Sequence, residues 1–415
     1  MKKVLSILLS VAMIVLCFAA CGKTDGDKSS TGKAANVKVG FIFLHDENST
    51  YDKNFITAAE EACKKAGVEI LKKTNISETQ ACYDAAAELV DEGCNVIFAD
   101  SFGHEPYIIQ AAKKFPAVQF LHATGTKAHT EGLSNYYNAF ASIYEGRYLA
   151  GVAAGMKLNE MISSGKITAD KAKMGYVGAY TYAEVISGYT SFYLGAKSVC
   201  PSVTMEVTFT GSWYDETAEK EAAQKLINNG CVLISQHADS MGAPTACEAA
   251  GVPNVSYNGS TVSACPNTFI VSSRIDWAPY LEYAIDCVKN GKAIDTDWTG
   301  TLSTGSVVLT DVNTKAAAEG TQAKIDEVKA ELEGGKLHVF DTSAFTVTVS
   351  DSKNKNATVD ADGHLTGYKA DIDSDADNTG DTEVVSDGYF HESEKRSAPC
   401  FDVQIDGITL LDTKF

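Results

Sequence analysis

The chain has 415 residues, 45% of them hydrophobic and 21% charged, and a formal net charge of −19 at pH 7; it is long enough for two or three domains with real cores. So acidic a surface argues against nucleic acid as a partner and against a polybasic membrane patch, and beyond the N-terminus no stretch is apolar for long enough to span a bilayer. The eleven cysteines lack any Cys-x-x-Cys spacing and sit singly in apolar contexts such as Gly93-Cys94-Asn95-Val96, so they read as small buried hydrophobes rather than a zinc site, with one or two disulfides left open.

In chain order, Met1-Lys2-Lys3 precedes an uncharged apolar run from Val4 to Ala20, the layout of a signal peptide. Ala19-Ala20-Cys21 resembles the lipobox of bacterial lipoproteins, in which the chain is cut before the cysteine and its thiol carries diacylglycerol. Several acyl chains hold where one would not. The expectation is a signal over 1–20, lipidation at Cys21 and a small polar tether over 21–36, placing the protein on the extracytoplasmic face of the cell membrane. An ordinary secretory signal is the alternative.

From Val37 a rhythm begins. Strands are predicted at 37–44, 68–72, 95–99 and 118–122, alternating with helices at 53–66, 79–92 and 105–114. Short buried strands alternating with helices of ten to fifteen residues predict an α/β fold with a parallel, doubly wound sheet. A helix over 142–160 carries Gly146, Ala150, Gly151, Ala153, Ala154 and Gly155, a face suited to close packing. The rhythm then restarts, with strands at 173–178, 204–210, 232–236, 255–257 and 269–273 and helices at 183–197, 215–229 and 243–250. One unit repeated once predicts a first lobe over 37–160, completed by 278–310, and a second over 161–277. A helix at 314–334 and strands at 336–350 and 401–413 predict a β-rich C-terminal extension, 311–415, around the acidic run Asp371–Asp377.

In open α/β sheets ligands sit beyond the carboxyl ends of the strands. There the chain places Tyr51, Asp52 and Phe55, in a stretch where Asn48, Ser49 and Thr50 also suit a helix cap. It places Ser101, Phe102 and Glu105 after the third strand, Trp213 in Gly211-Ser-Trp-Tyr-Asp215, then Asp239, Asn258, Arg274 and Asp276. Two aromatic residues can stack a planar ring, and carboxylates and amides take hydrogen bonds from hydroxyl or N–H groups. No Gly-x-Ser-x-Gly, His-Glu-x-x-His, Gly-x-Gly-x-x-Gly or Walker loop occurs, so no enzyme, cofactor or metal is expected. The acidic run departs from an EF-hand at its sixth and twelfth positions, where Gly and Glu are required, and reads as a solvated loop.

The segments Tyr51-Asp-Lys-Asn-Phe55, Asp100-Ser-Phe-Gly103, Ala112-Lys-Lys-Phe-Pro116, Tyr144-Glu-Gly-Arg-Tyr-Leu-Ala-Gly151, Gly211-Ser-Trp-Tyr-Asp215, Gln236-His-Ala-Asp239 and Trp277-Ala-Pro-Tyr280 resemble the basic membrane protein family. These are ABC-transporter substrate-binding lipoproteins that include purine nucleoside receptors, and the likeness spans about 37–310. It implies a two-lobed type I periplasmic-binding fold, an ABC permease as partner and a purine held between two aromatic residues. By position Trp213 is one of these, and Tyr51 or Phe55 the other. Where the receptors carry an Asp for ribose, this chain has Pro106 beside Glu105. A later Asp becomes Asn258, and a Lys becomes Ile275, flanked by Arg274 and Asp276. These departures leave a free nucleobase or another planar ligand open beside the nucleoside. A surface adhesin or sensory lipoprotein binding another small ligand is the alternative.

Overall fold

The computed structural model describes residues 36–374 and 380–412. The expected signal, Cys21 and nearly all of the tether lie outside the described residues, as do the last three residues of the acidic run, 375–377.

Five strands and their helices open the chain: β1 (Lys38–Ile42), α1 (Thr50–Ala66), β2 (Glu69–Lys73), α2 (Gln80–Asp91), β3 (Val96–Ala99), α3 (Glu105–Lys114), β4 (Gln119–Ala123), the short α4 (Ala128–Glu131) and β5 (Tyr136–Ala141). The long α5 (Ile143–Ser163) then leads to β6 (Lys173–Gly178), α6 (Ala183–Val199), β7 (Thr204–Phe209), α7 (Glu216–Asn228), β8 (Leu233–Gln236), α8 (Gly242–Ala250), β9 (Asn254–Tyr257) and β10 (Phe269–Ile275). After α9 (Ala278–Asn290) come β11 (Asp297–Gly300), β12 (Val307–Leu309) and α10 (Thr321–Glu333).

The first sheet has the order β2-β1-β3-β4-β5-β11 and is parallel throughout. The second runs β7-β6-β8-β9-β10-β12, with β12 antiparallel at its edge. Both are the doubly wound pattern the alternating elements predict. Strands such as β3 and β8 are buried at every position, as sheets covered by helices on both faces require. Side chains set the helix starts: Ser49 accepts from the Asp52 N–H, Thr79 from Ala81 and Asp215 from Ala218, satisfying donors that a helix start leaves open. β11 returns to the first sheet beside β5, and α9 returns to α1, where Lys289 Nζ donates to the Ala66 carbonyl at 2.7 Å. Strand β5 was not predicted: with Asn138 inside it, Tyr137-Asn-Ala-Phe lacks a clean apolar run.

The extension differs from expectation. Residues 336–350 form no strand; Val339, Phe340, Phe345 and Val347 are buried as an apolar plug, with Phe340 stacked on Phe401 at 4.0 Å. Their alternation serves packing without a sheet partner. The strands that do form are β13 (Ala357–Val359), β14 (Leu365–Ala370), β15 (Thr382–Glu383), β16 (Val385–Ser386), β17 (Tyr389–Phe390) and β18 (Ile408–Leu410). Of the predicted 401–413 strand only β18 forms, and it pairs parallel with β7, extending the second sheet. The nine cysteines among the described residues are buried and unpaired, and no described helix is long and apolar enough to cross a membrane.

The small-residue face of α5 packs on α6 backbone to backbone. A Cβ at Gly151 would stand 2.0 Å from the Phe192 carbonyl oxygen, and one at Gly195 2.0 Å from that of Tyr148. Even a methyl group must force the helices apart. Gly195→Ala therefore loses about 3 kcal/mol or more of unfolding free energy, the upper end of overpacking costs, measurable by urea denaturation. A loss under about 1 kcal/mol shows that the helices can separate cheaply.

Candidate functional site

The carboxyl ends of the two sheets face each other across a cavity of about 570 Å³, within the range of small-molecule sites. The lobes touch around it. Thr50 donates from its N–H and its hydroxyl to the Asp239 carbonyl at 3.0 and 3.1 Å. The His45 and Tyr214 rings lie 5.4 Å apart, and Phe102 meets Tyr182 at 5.3 Å. Phe102 and Tyr182 are 38% and 41% exposed, so this cross-lobe pair stands at the cavity's rim.

Aromatic faces line the second lobe's side. Trp213, on the loop after β7, meets Tyr180 edge-on at 5.0 Å, with Tyr182 at 6.0 Å and His237 at 6.4 Å. On the first lobe Tyr51 lines the cavity while its hydroxyl donates to the Asp100 carbonyl at 2.7 Å. This bond orients a ring that otherwise rests on Phe55.

The polar groups are dominated by carboxylates. Burial works against the charge of Asp52, but hydrogen bonds outweigh it and hold the carboxyl below its usual range. They come from the Ser49 hydroxyl at 2.6 Å and the His45 N–H at 2.8 Å. Burial, with the Asp52 charge adding to it, drives Asp100 and Asp239 well above that range. Behind Asp239, burial pushes Glu219 up to about 7, although the Ser240 and Asp215 N–H groups donate to it. Glu184, at the start of α6, is held by His237 Nε2 at 2.7 Å and the Tyr257 hydroxyl at 3.4 Å. His237 Nδ1 lies 3.2 Å from the Tyr176 hydroxyl, which accepts from the fully buried Arg147 at 2.6 Å. Because arginine only donates, the Tyr176 hydrogen is free for Nδ1, leaving Nε2–H for Glu184. The guanidinium also lies over the Tyr257 ring at 4.6 Å. Arg147 thus fixes a cleft carboxylate through two intervening groups.

Of the residues singled out from sequence, Tyr51, Asp52, Ser101, Phe102, Trp213, Asp239 and Asn258 line the cavity. Asn258, at φ 65°, holds the left-handed conformation asparagine tolerates and donates to Asp239 Oδ1 at 3.2 Å. Four others are placed elsewhere. Phe55 is core, stacked on Trp277 at 4.2 Å, because it falls on the inner face of α1. Glu105 is buried behind the wall, accepting from the N–H groups of Thr126 and Lys127 and the Tyr136 hydroxyl. Arg274 donates to Asn54 and to Asp276, and Asp276 accepts from the Ala278 N–H at the start of α9. Sequence reading missed Thr124, Tyr182, Glu184 and Tyr189. The mix of aromatic and polar residues in Tyr180-Thr-Tyr182 was the available signal for Tyr182 and the neighbouring Glu184, since it matches that of the segments chosen. Among the described residues no cluster of His, Cys, Asp or Glu is arranged to hold a metal.

The profile of the Bmp family, described as ABC transporter substrate-binding protein PnrA-like, matches residues 40–336. A purine-binding protein of Brucella abortus is 31% identical over 310 residues, covering 73% of this chain and 83% of that one. A Haloferax volcanii protein, provisionally named the glucose-binding protein of an ABC transporter, is 27% identical over 332 residues, 78% of each chain. Among solved structures, a solute-binding protein of an ABC transporter system from Conexibacter woesei superimposes with a TM-score of 0.60 at 21% identity, covering 73% of this chain and 98% of its own. That likeness speaks to the fold.

Glu219 makes the site's stability depend on pH. The unfolded carboxyl titrates near 4.5 and the folded one near 7, so between those values the folded state binds the extra proton and loses stability as pH rises. Relative to Glu219→Gln, the wild type loses about 3 kcal/mol from pH 4.5 to 7.5. Denaturation at several pH values checks this; parallel curves for the two proteins would refute it.

Proposed function

This chain belongs to the Bmp family of PnrA-like ABC-transporter substrate-binding proteins, and within it we propose a lipid-anchored receptor that closes two lobes over a purine nucleoside or nucleobase and presents it to a membrane permease. The observation that carries this reading is the cavity's chemistry. It offers aromatic faces at Trp213, Tyr182 and Tyr51 and acceptors at Asp52, Glu184 and Asp239. No lysine is among the described lining residues, and the arginine there, Arg396, donates to backbone carbonyls. Such a site suits a planar ring bearing N–H or O–H donors and disfavours an anion.

Binding works by population shift: a ligand that touches both lobes does so only when they are together, so its affinity favours that state. The permease would read the closed form. Lipidation at Cys21 would keep the receptor beside it. The name of the Brucella relative supports a purine; that of the Haloferax relative supports a second reading, a sugar.

In a thermal-shift assay of protein lacking residues 1–21, adenine, adenosine or guanosine raises the melting temperature, and glucose does not. A shift with glucose alone moves the assignment to the second reading. Trp213→Ala weakens purine binding by about tenfold to a hundredfold, the worth of one base–aromatic stack, by titration calorimetry. Adenosine monophosphate binds at least about tenfold more weakly than adenosine, because its phosphate meets the carboxylates at low dielectric. For the anchor, Cys21→Ser moves the protein from the membrane fraction to the soluble one. Retention in the membrane would overturn lipidation at that residue.

A further inference from the structure

The extension beyond residue 336 lies outside the family match at 40–336, yet it is built into both lobes. On the first sheet, Ser397 donates its N–H to Asp297 Oδ2 at 2.7 Å, and Asn138 Nδ2 donates to the Ser397 hydroxyl at 3.0 Å. On the second, β18 pairs with β7. Ahead of the first anchorage the Tyr144 hydroxyl donates to the Glu392 carbonyl at 3.2 Å. The Glu392 carboxylate accepts from the Cys400 and Phe401 N–H groups at 3.0 and 2.9 Å. Arg396 clamps the same segment by donating to the Ala398 and Pro399 carbonyls at 3.1 and 2.9 Å and to those of Asp371 and Ile372 at 3.1 Å each. The segment 396–404 is therefore held from within and at both ends.

Its pattern decides what faces the ligand. Phe401, Val403 and Ile405 are buried to 1% exposure or less, and in extended chain the residues between them point the other way. Those residues are Asp402 and Gln404, and both line the cleft cavity together with Tyr189 of α6. Asp402 is accessible to water and yet closely surrounded by protein, so that burial raises its carboxyl above the usual range. The Tyr368 hydroxyl fixes it by donating to Oδ1 at 2.5 Å, and Oδ2 is bonded to none of the described residues. Gln404 is pinned by its backbone, which exchanges hydrogen bonds with the Asn354 side chain at 2.9 and 2.8 Å. Its side-chain amide is likewise bonded to none of them.

We propose that the C-terminal extension is part of the binding site, with Asp402 and Gln404 recognising an amino or hydroxyl donor on the ligand whose ring lies against Trp213. This rests on the purine reading and adds to it a third wall that the rest of the fold does not supply. Specificity within the ligand class then depends on residues outside the family match.

Calorimetric titrations with adenine, hypoxanthine, adenosine and inosine, on wild type, Asp402→Asn, Asp402→Ala, Gln404→Ala and Trp213→Ala, test it. His338→Ala, whose ring stacks on Tyr389 at 3.8 Å away from the cavity lining, controls for general damage to the extension. Asp402→Ala weakens at least one probe by about tenfold or more, as loss of a hydrogen bond to a charged group does, and His338→Ala changes none. Loss confined to adenosine and inosine assigns the donor to ribose hydroxyls; loss confined to adenine and adenosine assigns it to the exocyclic amine. If Trp213→Ala loses affinity while the Asp402 and Gln404 variants keep it, the extension is only a scaffold and the proposal is overturned, with the purine reading standing. If wild type binds none of the four probes, the purine reading and the proposal fall together.

Discussion

The contact between α5 and α6 sets the rest of the molecule. Helix α5 leaves the first sheet at β5 and delivers the chain to β6, while α6 starts at the cleft and runs back along it. Gly151 and Gly155 on one helix and Gly195 on the other let carbonyl oxygens approach where any Cβ would collide. Helices pressed this close transmit position faithfully, because packed interiors leave no slack. The residues at the N-terminal end of α6, Glu184, Ile186 and Tyr189, form one wall of the cavity. Their placement relative to the first lobe follows from backbone packing a few turns away.

Electrostatics then gives the cavity its character. A buried arginine with incomplete partners is costly, and Arg147 offsets that cost with three aromatic faces and a bond to Tyr176. The same chain of contacts ends on Glu184, so the cation's field reaches the cleft without placing a positive group in it. Asp52 keeps its charge through the hydrogen bonds it accepts, and that charge helps to suppress ionisation of Asp100 and Asp239. The result is a cluster of carboxyl groups pushed in opposite directions, Asp52 below the usual range and Asp100 and Asp239 above it, of which Asp52 and Asp239 line the cavity.

The extension shows how an added segment becomes inseparable from the fold it joins. It contributes β18 to one sheet, a serine to the carboxylate of Asp297 beside the other, and the apolar plug around Phe340 and Phe401 to the core. An arm attached at one end only would be free to drift. Attached to both lobes and clamped by Arg396, it lies along the cleft at a fixed distance.

Much of this was legible in sequence. The period of the apolar residues determined the two parallel sheets, since β3 carries no polar side chain and those of β1 and β8 lie at the strand ends, Lys38 in the first and Ser235 and Gln236 in the second. The small residues of α5 announced a close helix contact, and Trp213, Tyr51 and Asp239 were found because they follow strands. The sequence left open which way each side chain turns. Phe55 and Tyr51 sit four residues apart on one helix, and only the packing of Trp277 decided that one ring joins the core while the other meets the cavity. Glu105 looked like a ligand group until the loop at 125–127 and Tyr136 folded over it. Asp402 and Gln404 lie more than 180 residues from Trp213, and no local pattern joins them. Local periodicity is a property of neighbours in the chain and so is written in the sequence. A pocket is a property of neighbours in space, and here it exists only once helix packing and strand pairing have brought three distant segments together.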